Sequence, residues 1–181
     1  MISFISGGAR SGKSHFSEQT ALSFYNKAQE HQQDSGLYYI ATAKRSDEEM
    51  EERIWIHQKQ RINTWKTVEE STDLVPFLSN CKKGDVILID CLTIWLSNVL
   101  FERQYSMDKI EIAVNSWIKL AREKQFHLLI VSNDINEEIP SSDQVVYTYM
   151  YCLQHLHQII VQQSELVVQV QVGIPTYWKG G

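Results

Sequence analysis

Short, nearly continuous apolar runs recur along the chain and alternate with longer stretches of helical periodicity. Ile2 to Ser6 is the first run, followed by a helix pattern from about Lys13 to Glu30, an apolar run at Leu37 to Ala41 and a second helix pattern from Asp47 to Arg61. Val86, Leu88 and Ile89 precede a helix through Leu92 to Phe101, and another helix covers about 108–124. Leu128 to Val131 reads as a buried strand, and a helix at 143–163 leads to a last strand at Leu166 to Val172. Strands that lack polar alternation are covered on both faces, and strands separated by helices build parallel sheets. The expected fold class is therefore α/β, a mostly parallel sheet with helices on both faces. Gln29 to Gly36 and Ile135 to Asp143, the latter with Pro140 and two serines, read as loops. No linker, repeat or low-complexity tract divides the chain, so residues 1–181 are expected to form one domain.

Composition narrows the function more than the fold. With 181 residues, 43% hydrophobic and 22% charged, the chain can bury one good core but is short for two. A formal net charge of -5 gives no reason to expect nucleic acid or an anionic membrane surface as partner, which leaves a small molecule. Cys81, Cys91 and Cys152 are widely spaced, with no C-x-x-C pair, so neither a disulfide framework nor a zinc site is expected. Met1 leads straight into an apolar strand without a basic leader, and no stretch reaches the roughly 18 apolar residues of a membrane span. The expectation is a cytoplasmic protein.

The chemistry begins directly after the first strand. Gly7-Gly8-Ala9-Arg10-Ser11-Gly12-Lys13-Ser14 satisfies G-x-x-x-x-G-K-[ST] between a strand and a helix, the context that a phosphate-binding loop requires. Glycines let the backbone curl its N–H groups toward phosphate oxygens, and the helix N-terminus adds its positive dipole end. Lys13 is expected on the outer phosphates and the Ser14 hydroxyl on Mg²⁺. The strand Val86 to Asp90 ends in a carboxylate, where such proteins keep the acid of the magnesium shell, and Asp90 is the candidate for it; the alternative is a cap of the following helix. The fold class becomes P-loop NTPase-like, a cradle that serves switches, kinases and transferases alike.

Four blocks carry a more specific likeness: Ser6 to Ser14; Tyr39-Ile40-Ala41-Thr42-Ala43; Asp47-Glu48-Glu49-Met50 with Arg53-Ile54 and His57; and Asp90-Cys91-Leu92-Thr93 with Trp95-Leu96-Ser97-Asn98. In these the chain resembles the adenosylcobinamide kinase/adenosylcobinamide-phosphate guanylyltransferase family of cobalamin biosynthesis, over about the first hundred residues. The resemblance implies two reactions on a corrinoid substrate: NTP-dependent phosphorylation of the aminopropanol hydroxyl, and GMP transfer from GTP to the resulting phosphate through a guanylylated histidine. It puts the nucleophile at His57. It implies nucleotide contacts at Ala41, Thr42 and Ala43, at Gln58, Lys59, Gln60 and Arg61, and at Glu69. It also implies ATP and GTP as substrates, Mg²⁺ as cofactor, and assembly as a homotrimer. Chemically, a neutral imidazole can attack the α-phosphorus of GTP, a carboxylate can accept from guanine N1–H and its amino group, and Arg53 or Arg61 could steady phosphates. Taken without the family, His57 reads as an ordinary helix-surface residue and Glu69 as a solvated loop acid.

The last third departs from the family pattern. Val131-Ser132-Asn133-Asp134 carries a shorter acid than the family's, and Asn136, Glu137 and Glu138 stand where glycines are expected. The run from Tyr147 to His157 reads as an aromatic packing or subunit-interface helix, and His155 and His157, two residues apart, lie on different faces and do not form a chelating pair. Two other functions remain in competition: a monofunctional P-loop kinase for another metabolite, and a non-catalytic GTP-sensing protein. An N-K-x-D motif is absent, which disfavours the usual switch GTPase.

Overall fold

The computed structural model describes residues 1–31, 34–44, 64–134 and 143–181. Seven strands form one sheet: β1 (Ile2–Gly7), β2 (Leu37–Ala41), β3 (Trp65–Glu69), β4 (Val86–Asp90), β5 (His127–Asn133), β6 (Leu166–Gln171) and β7 (Ile174–Lys179). Their order is β3-β2-β4-β5-β1-β6-β7, with every neighbouring pair parallel except β6 and β7. The helices are α1 (Lys13–Glu30), α2 (Val75–Leu78), α3 (Leu92–Ser97), a π-helical turn at Asn98–Glu102, α4 (Met107–Lys124) and α5 (Gln144–Gln163). The helix expected from Asp47 to Arg61 lies outside the described residues.

The apolar strands sort their side chains to two faces, as the strand period of two requires. Ile5, Leu37, Tyr39, Val86, Leu88, Leu129 and Val168 pack with Ala21 and Phe24 of α1. The alternate residues Phe4, Ile40, Ile87, Ile89, Leu128 and Ile130 pack under Trp95 of α3, Trp117 of α4 and Leu156 of α5. At the centre of this second layer, the Trp95 and Trp117 rings meet edge to face at 4.5 Å, both essentially without exposure. Layers on both faces explain why the central strands lack polar alternation.

Helix ends follow local chemistry. Ser106 accepts from the Lys109 N–H to start α4, and Asp143 accepts from the Val145 N–H to start α5. The helix expected from Leu92 to Phe101 is in fact α3 followed by the π turn. Two strands were not anticipated. In β3, Lys66, Thr67 and Glu69 are exposed, and β7 carries Pro175 and is solvent-exposed for most of its length, so neither presents an apolar run. Both are sheet edges, where polar side chains and proline are tolerated.

Candidate nucleotide site

The C-terminal ends of β1, β5, β4 and β2 converge on one rim of the sheet, and the glycine-rich loop bridges β1 to α1. Arg10 and Gly12 both take left-handed backbone (φ 57° and 91°), which turns the chain back on itself before the helix. Gly12 is the N-cap of α1 and offers no side chain, so the first-turn N–H groups keep no side-chain acceptor from the cap. Gly7 is required by space: a Cβ there would lie 2.4 Å from the Val170 carbonyl oxygen and 2.6 Å from Ser11 Oγ. Inside this curl Lys13 is 9% exposed and donates from Nζ to the Gly8 carbonyl at 3.1 Å. The Ser11 hydroxyl is buried without a hydrogen-bond partner among the described residues. A buried cation, an orphaned hydroxyl and unfilled helix N–H groups form a donor-rich nest suited to a polyphosphate.

Two strand positions away, Asp90 ends β4, with only β5 between it and β1. Its Oδ2 accepts from the Tyr39 hydroxyl at 2.8 Å, which fixes the carboxylate and leaves the other oxygen for a ligand. The alternative role as helix cap is not realised, because the cap position of α3 is Cys91 and no side chain bonds there. Thr42 clasps the strand end: its hydroxyl donates to the Cys91 carbonyl at 2.9 Å and accepts from the Cys91 N–H at 2.8 Å, and its own N–H donates to the Asp90 carbonyl. Asn98 in turn donates to the carbonyls of Thr42 and Ser71. Thus Thr42, expected as a nucleotide contact, uses its buried hydroxyl to position the Asp90–Cys91 backbone. Burial, reinforced by the Asp90 charge, raises the Cys91 thiol pKa, and the thiol meets Thr93 Oγ1 at 2.8 Å. It is a neutral packing group and a poor nucleophile.

Beside Asp90 opens a cleft of about 460 Å³ between α3, the π turn and the start of α5, lined by Thr93, Ile94, Asn98, Phe101, Asn133 and Tyr149 among others. Asn133 ends β5 in register with Gly7 of β1 and donates to Thr93 Oγ1, so the cleft reaches the strand beside the loop. Tyr149 donates to the Thr93 carbonyl and stacks near Phe101, whereas Tyr147 and Tyr151 on the same helix are exposed. The aromatic helix is therefore packing in part and cleft wall in part. His155 bonds Glu111 of α4 and His157 bonds Ser132 of β5, confirming that they point to different neighbours.

Glu69 is exposed at the end of β3, paired with Ala41 rather than sitting in a loop. Four strand spacings, roughly 19 Å, separate β3 from β1. Ser14 is half-buried in the first turn of α1. His57, Gln58, Lys59, Gln60 and Arg61 lie outside the described residues. Sequence reasoning missed Tyr39, Asn98, Thr93 and Asn133 as parts of the site, although each falls within a block already singled out or at a strand end.

A mostly parallel sheet with a glycine-rich loop after an interior strand and an acid two strands away defines a P-loop nucleotide-binding protein. The crystal structure of a KaiC-like protein from the hyperthermophilic archaeon Pyrococcus horikoshii OT3 shares this fold, with a TM-score of 0.51 at 15% identity over 93% of this chain and 69% of that one. Residues 3–177 match the family described as cobinamide kinase / cobinamide phosphate guanyltransferase. The chain is 33% identical to the bifunctional adenosylcobalamin biosynthesis protein CobP of Pseudomonas aeruginosa, over 99% of this chain and 98% of that protein. It is 34% identical to its Escherichia coli counterpart CobU over 60% of this chain and 54% of that protein. The chain belongs to the cobinamide kinase/guanyltransferase family, enzymes of phosphoryl and nucleotidyl transfer in cobalamin biosynthesis. The match runs through the divergent last third as well.

Proposed function

We propose that this chain carries out both family reactions, with one rim of the sheet serving the kinase step and His57 serving the guanylyl transfer. The observation that carries the kinase half is the pairing of the Lys13 nest with Asp90 across a single intervening strand, beside a cleft wide enough to admit part of an acceptor. In the first step the aminopropanol hydroxyl of cobinamide, entering past Thr93 and Asn133, attacks the γ-phosphorus of a nucleoside triphosphate. The new O–P bond forms as the bond to the β-phosphate oxygen breaks, and the hydroxyl proton leaves to solvent or a nearby base. Lys13 and the loop N–H groups stabilise charge developing on the transferred group.

Mg²⁺ fits this donor set: Ser14 and Asp90 would hold it, since a small hard cation takes few protein oxygens and completes its shell with phosphate and water. When bound it neutralises phosphate charge and orients the transferred group. Tyr39 and Thr42 then act as positioning residues, keeping the Asp90 carboxylate aimed at that shell.

In the second step neutral His57 attacks the α-phosphorus of GTP. A N–P bond forms, the α–β bridging bond breaks, and pyrophosphate departs. The phosphate of cobinamide phosphate then attacks the same phosphorus, the N–P bond breaks and GDP-cobinamide forms. Ala41 and Ala43 at the end of β2, Gln58 to Arg61 and the Glu69 carboxylate are assigned to the guanylyl donor. We further propose a homotrimeric cytoplasmic enzyme of one domain, for which sedimentation at three times the chain mass is the check.

Incubation with Mg²⁺ and α-labelled GTP should yield acid-labile, alkali-stable protein label in the wild type and none in His57→Ala. Label absent from the wild type, with cobinamide still phosphorylated from γ-labelled ATP, would reduce the protein to a kinase. Neither reaction, with nucleotide binding intact, would favour a nucleotide sensor.

A further inference from the structure

On the side of the loop away from Asp90 lies a second cleft, of about 380 Å³. Residues 8–11 form one wall, and the end of β6 with its turn, Gln169 to Val172, forms the other. We propose that this cleft is the nucleoside subsite of the phosphoryl donor, receiving the purine and ribose of the triphosphate whose phosphates the loop holds. The proposal rests on the reading of the loop as that donor's site.

Direction is the first argument. Asp90, Asn133 and the acceptor cleft all lie on the β5 and β4 side of β1, so the phosphate to be transferred faces that way. The remainder of an extended triphosphate leaves the loop in the opposite sense, toward β6. The chemistry of the walls is the second. Val172 supplies apolar surface for a flat ring, Gln169 and Gln171 supply amides that can both donate and accept, and Arg10 supplies a planar cation. Gln169 already donates to Asp134 Oδ2 at 3.0 Å, which steadies its amide and leaves its carbonyl oxygen as an acceptor.

The turn itself is the third argument. Val172 is β-branched yet takes left-handed backbone (φ 51°), a conformation such residues rarely adopt, and its side chain is 92% exposed. The two-residue hairpin between β6 and β7 imposes left-handed backbone on Val172 and Gly173 alike, yet the first of these positions holds an exposed β-branched apolar residue where glycine or asparagine would fit without strain. The turn is braced on the phosphate loop: the Gly173 N–H donates to the Ser11 carbonyl at 2.7 Å, and a Cβ on Gly12 would come within 3.3 Å of Gly173 Cα. A ring seated between loop and turn would cover Val172. A volume of this size is within the range of small-molecule sites.

One consequence separates the two reactions. β3, with Glu69, is five strand spacings from β6, roughly 24 Å. A purine at the β6 cleft and a guanine at Glu69 are then two placements, so the phosphoryl donor and the guanylyl donor use different nucleoside subsites.

Equilibrium binding of a fluorescent ATP analogue and of inorganic tripolyphosphate, which has no nucleoside, tests this in the full-length protein. Val172→Asp and Val172→Gly should each weaken the ATP analogue about tenfold while tripolyphosphate binds as to the wild type. Val172→Gly relieves the left-handed strain, so its Tm should hold or rise, which removes loss of folding as an explanation. Photolabelling with 8-azido-ATP should modify residues 169–174. Equal weakening of both ligands would overturn the proposal by making the turn a mere brace for the loop, as would unchanged ATP affinity or label elsewhere. A wild type that binds neither ligand would remove the donor-site reading and the proposal together, whereas failure of cobinamide turnover alone would leave the binding result standing.

Discussion

The phosphate loop and the Asp90 rim face each other across one strand, yet they are built by opposite means. The loop is shaped mainly by its own eight residues, left-handed Arg10 and Gly12 and a lysine that bonds a carbonyl five residues earlier, with one remote brace from the Gly173 N–H to the Ser11 carbonyl. The Asp90 rim is shaped by side chains from far along the chain, with Tyr39 reaching it across 51 residues, Thr42 clasping Cys91 across 49 and Asn98 bonding Thr42 across 56. Local construction makes the loop insensitive to distant changes outside β6 and its turn. Remote construction means that the rim should respond in proportion to each clasp removed.

The largest effect should come from the loop's own chemistry. Lys13→Ala should lower kcat for cobinamide phosphorylation about 10²–10³-fold, equivalent to losing 3–4 kcal/mol of transition-state stabilisation, with the fold retained by circular dichroism. A variant that kept wild-type kcat would show that the buried ammonium is structural only.

Glycine substitutions test how local the loop really is. Gly7→Ala places a methyl against the Val170 carbonyl and Ser11 Oγ, and should cost about 3 kcal/mol in urea unfolding. Gly8→Ala meets nothing within 4 Å and should change stability by under about 0.5–1 kcal/mol. Equal costs would mean that the loop is not braced against β6 as the geometry requires.

This contrast also explains what was legible beforehand. A motif whose geometry is set by adjacent residues can be read from spacing, and the loop was. The acid at Asp90 was legible because an apolar strand stops there. Tyr39, Thr42 and Asn98 each lay in a recognised block, but their partners are set by which strands become neighbours, and spacing does not encode that. β3 and β7 were missed for a related reason: as sheet edges they need no apolar run, and Pro175 argues against a strand when read locally. The π turn after Ser97 continues the apolar pattern of α3, so periodicity alone merges the two.

On the remote side, His157 of α5 bonds Ser132, the neighbour of Asn133, and burial depresses its pKa to about 4 despite the opposing influence of Asp134. Above about pH 6.5 it is neutral folded or unfolded. As pH falls toward 4, only the unfolded chain takes up the proton, so stability should decline through that window by at most about 3 kcal/mol. His157→Gln, which can still bond Ser132, should flatten the decline in pH-dependent unfolding measurements. An unchanged profile would assign the acid lability to other groups.

Thr42→Val removes the clasp while keeping the shape, leaving the buried Cys91 N–H without its acceptor. A loss of about 2 kcal/mol is expected, with Thr42→Ser restoring most of it. Stability lost while kinase activity per folded molecule is unchanged would show that the clasp holds the sheet without aiming Asp90.

The smallest and most specific change is Tyr39→Phe, which deletes one hydroxyl and nothing else. The ring stays packed edge to face near Trp65 at 6.2 Å and on the α1 side of the sheet, so stability should fall by no more than about 1 kcal/mol. What should move is the metal dependence. With one carboxylate oxygen no longer held at 2.8 Å, Asp90 can rotate away from the shell it completes. The Mg²⁺ concentration for half-maximal kinase activity should therefore rise about threefold to tenfold, while tripolyphosphate binding without metal stays at the wild-type value. Loss of both would mean that Tyr39 supports the loop as well as the acid, and the division between a self-built loop and a remotely built rim would fail at the strand that joins them.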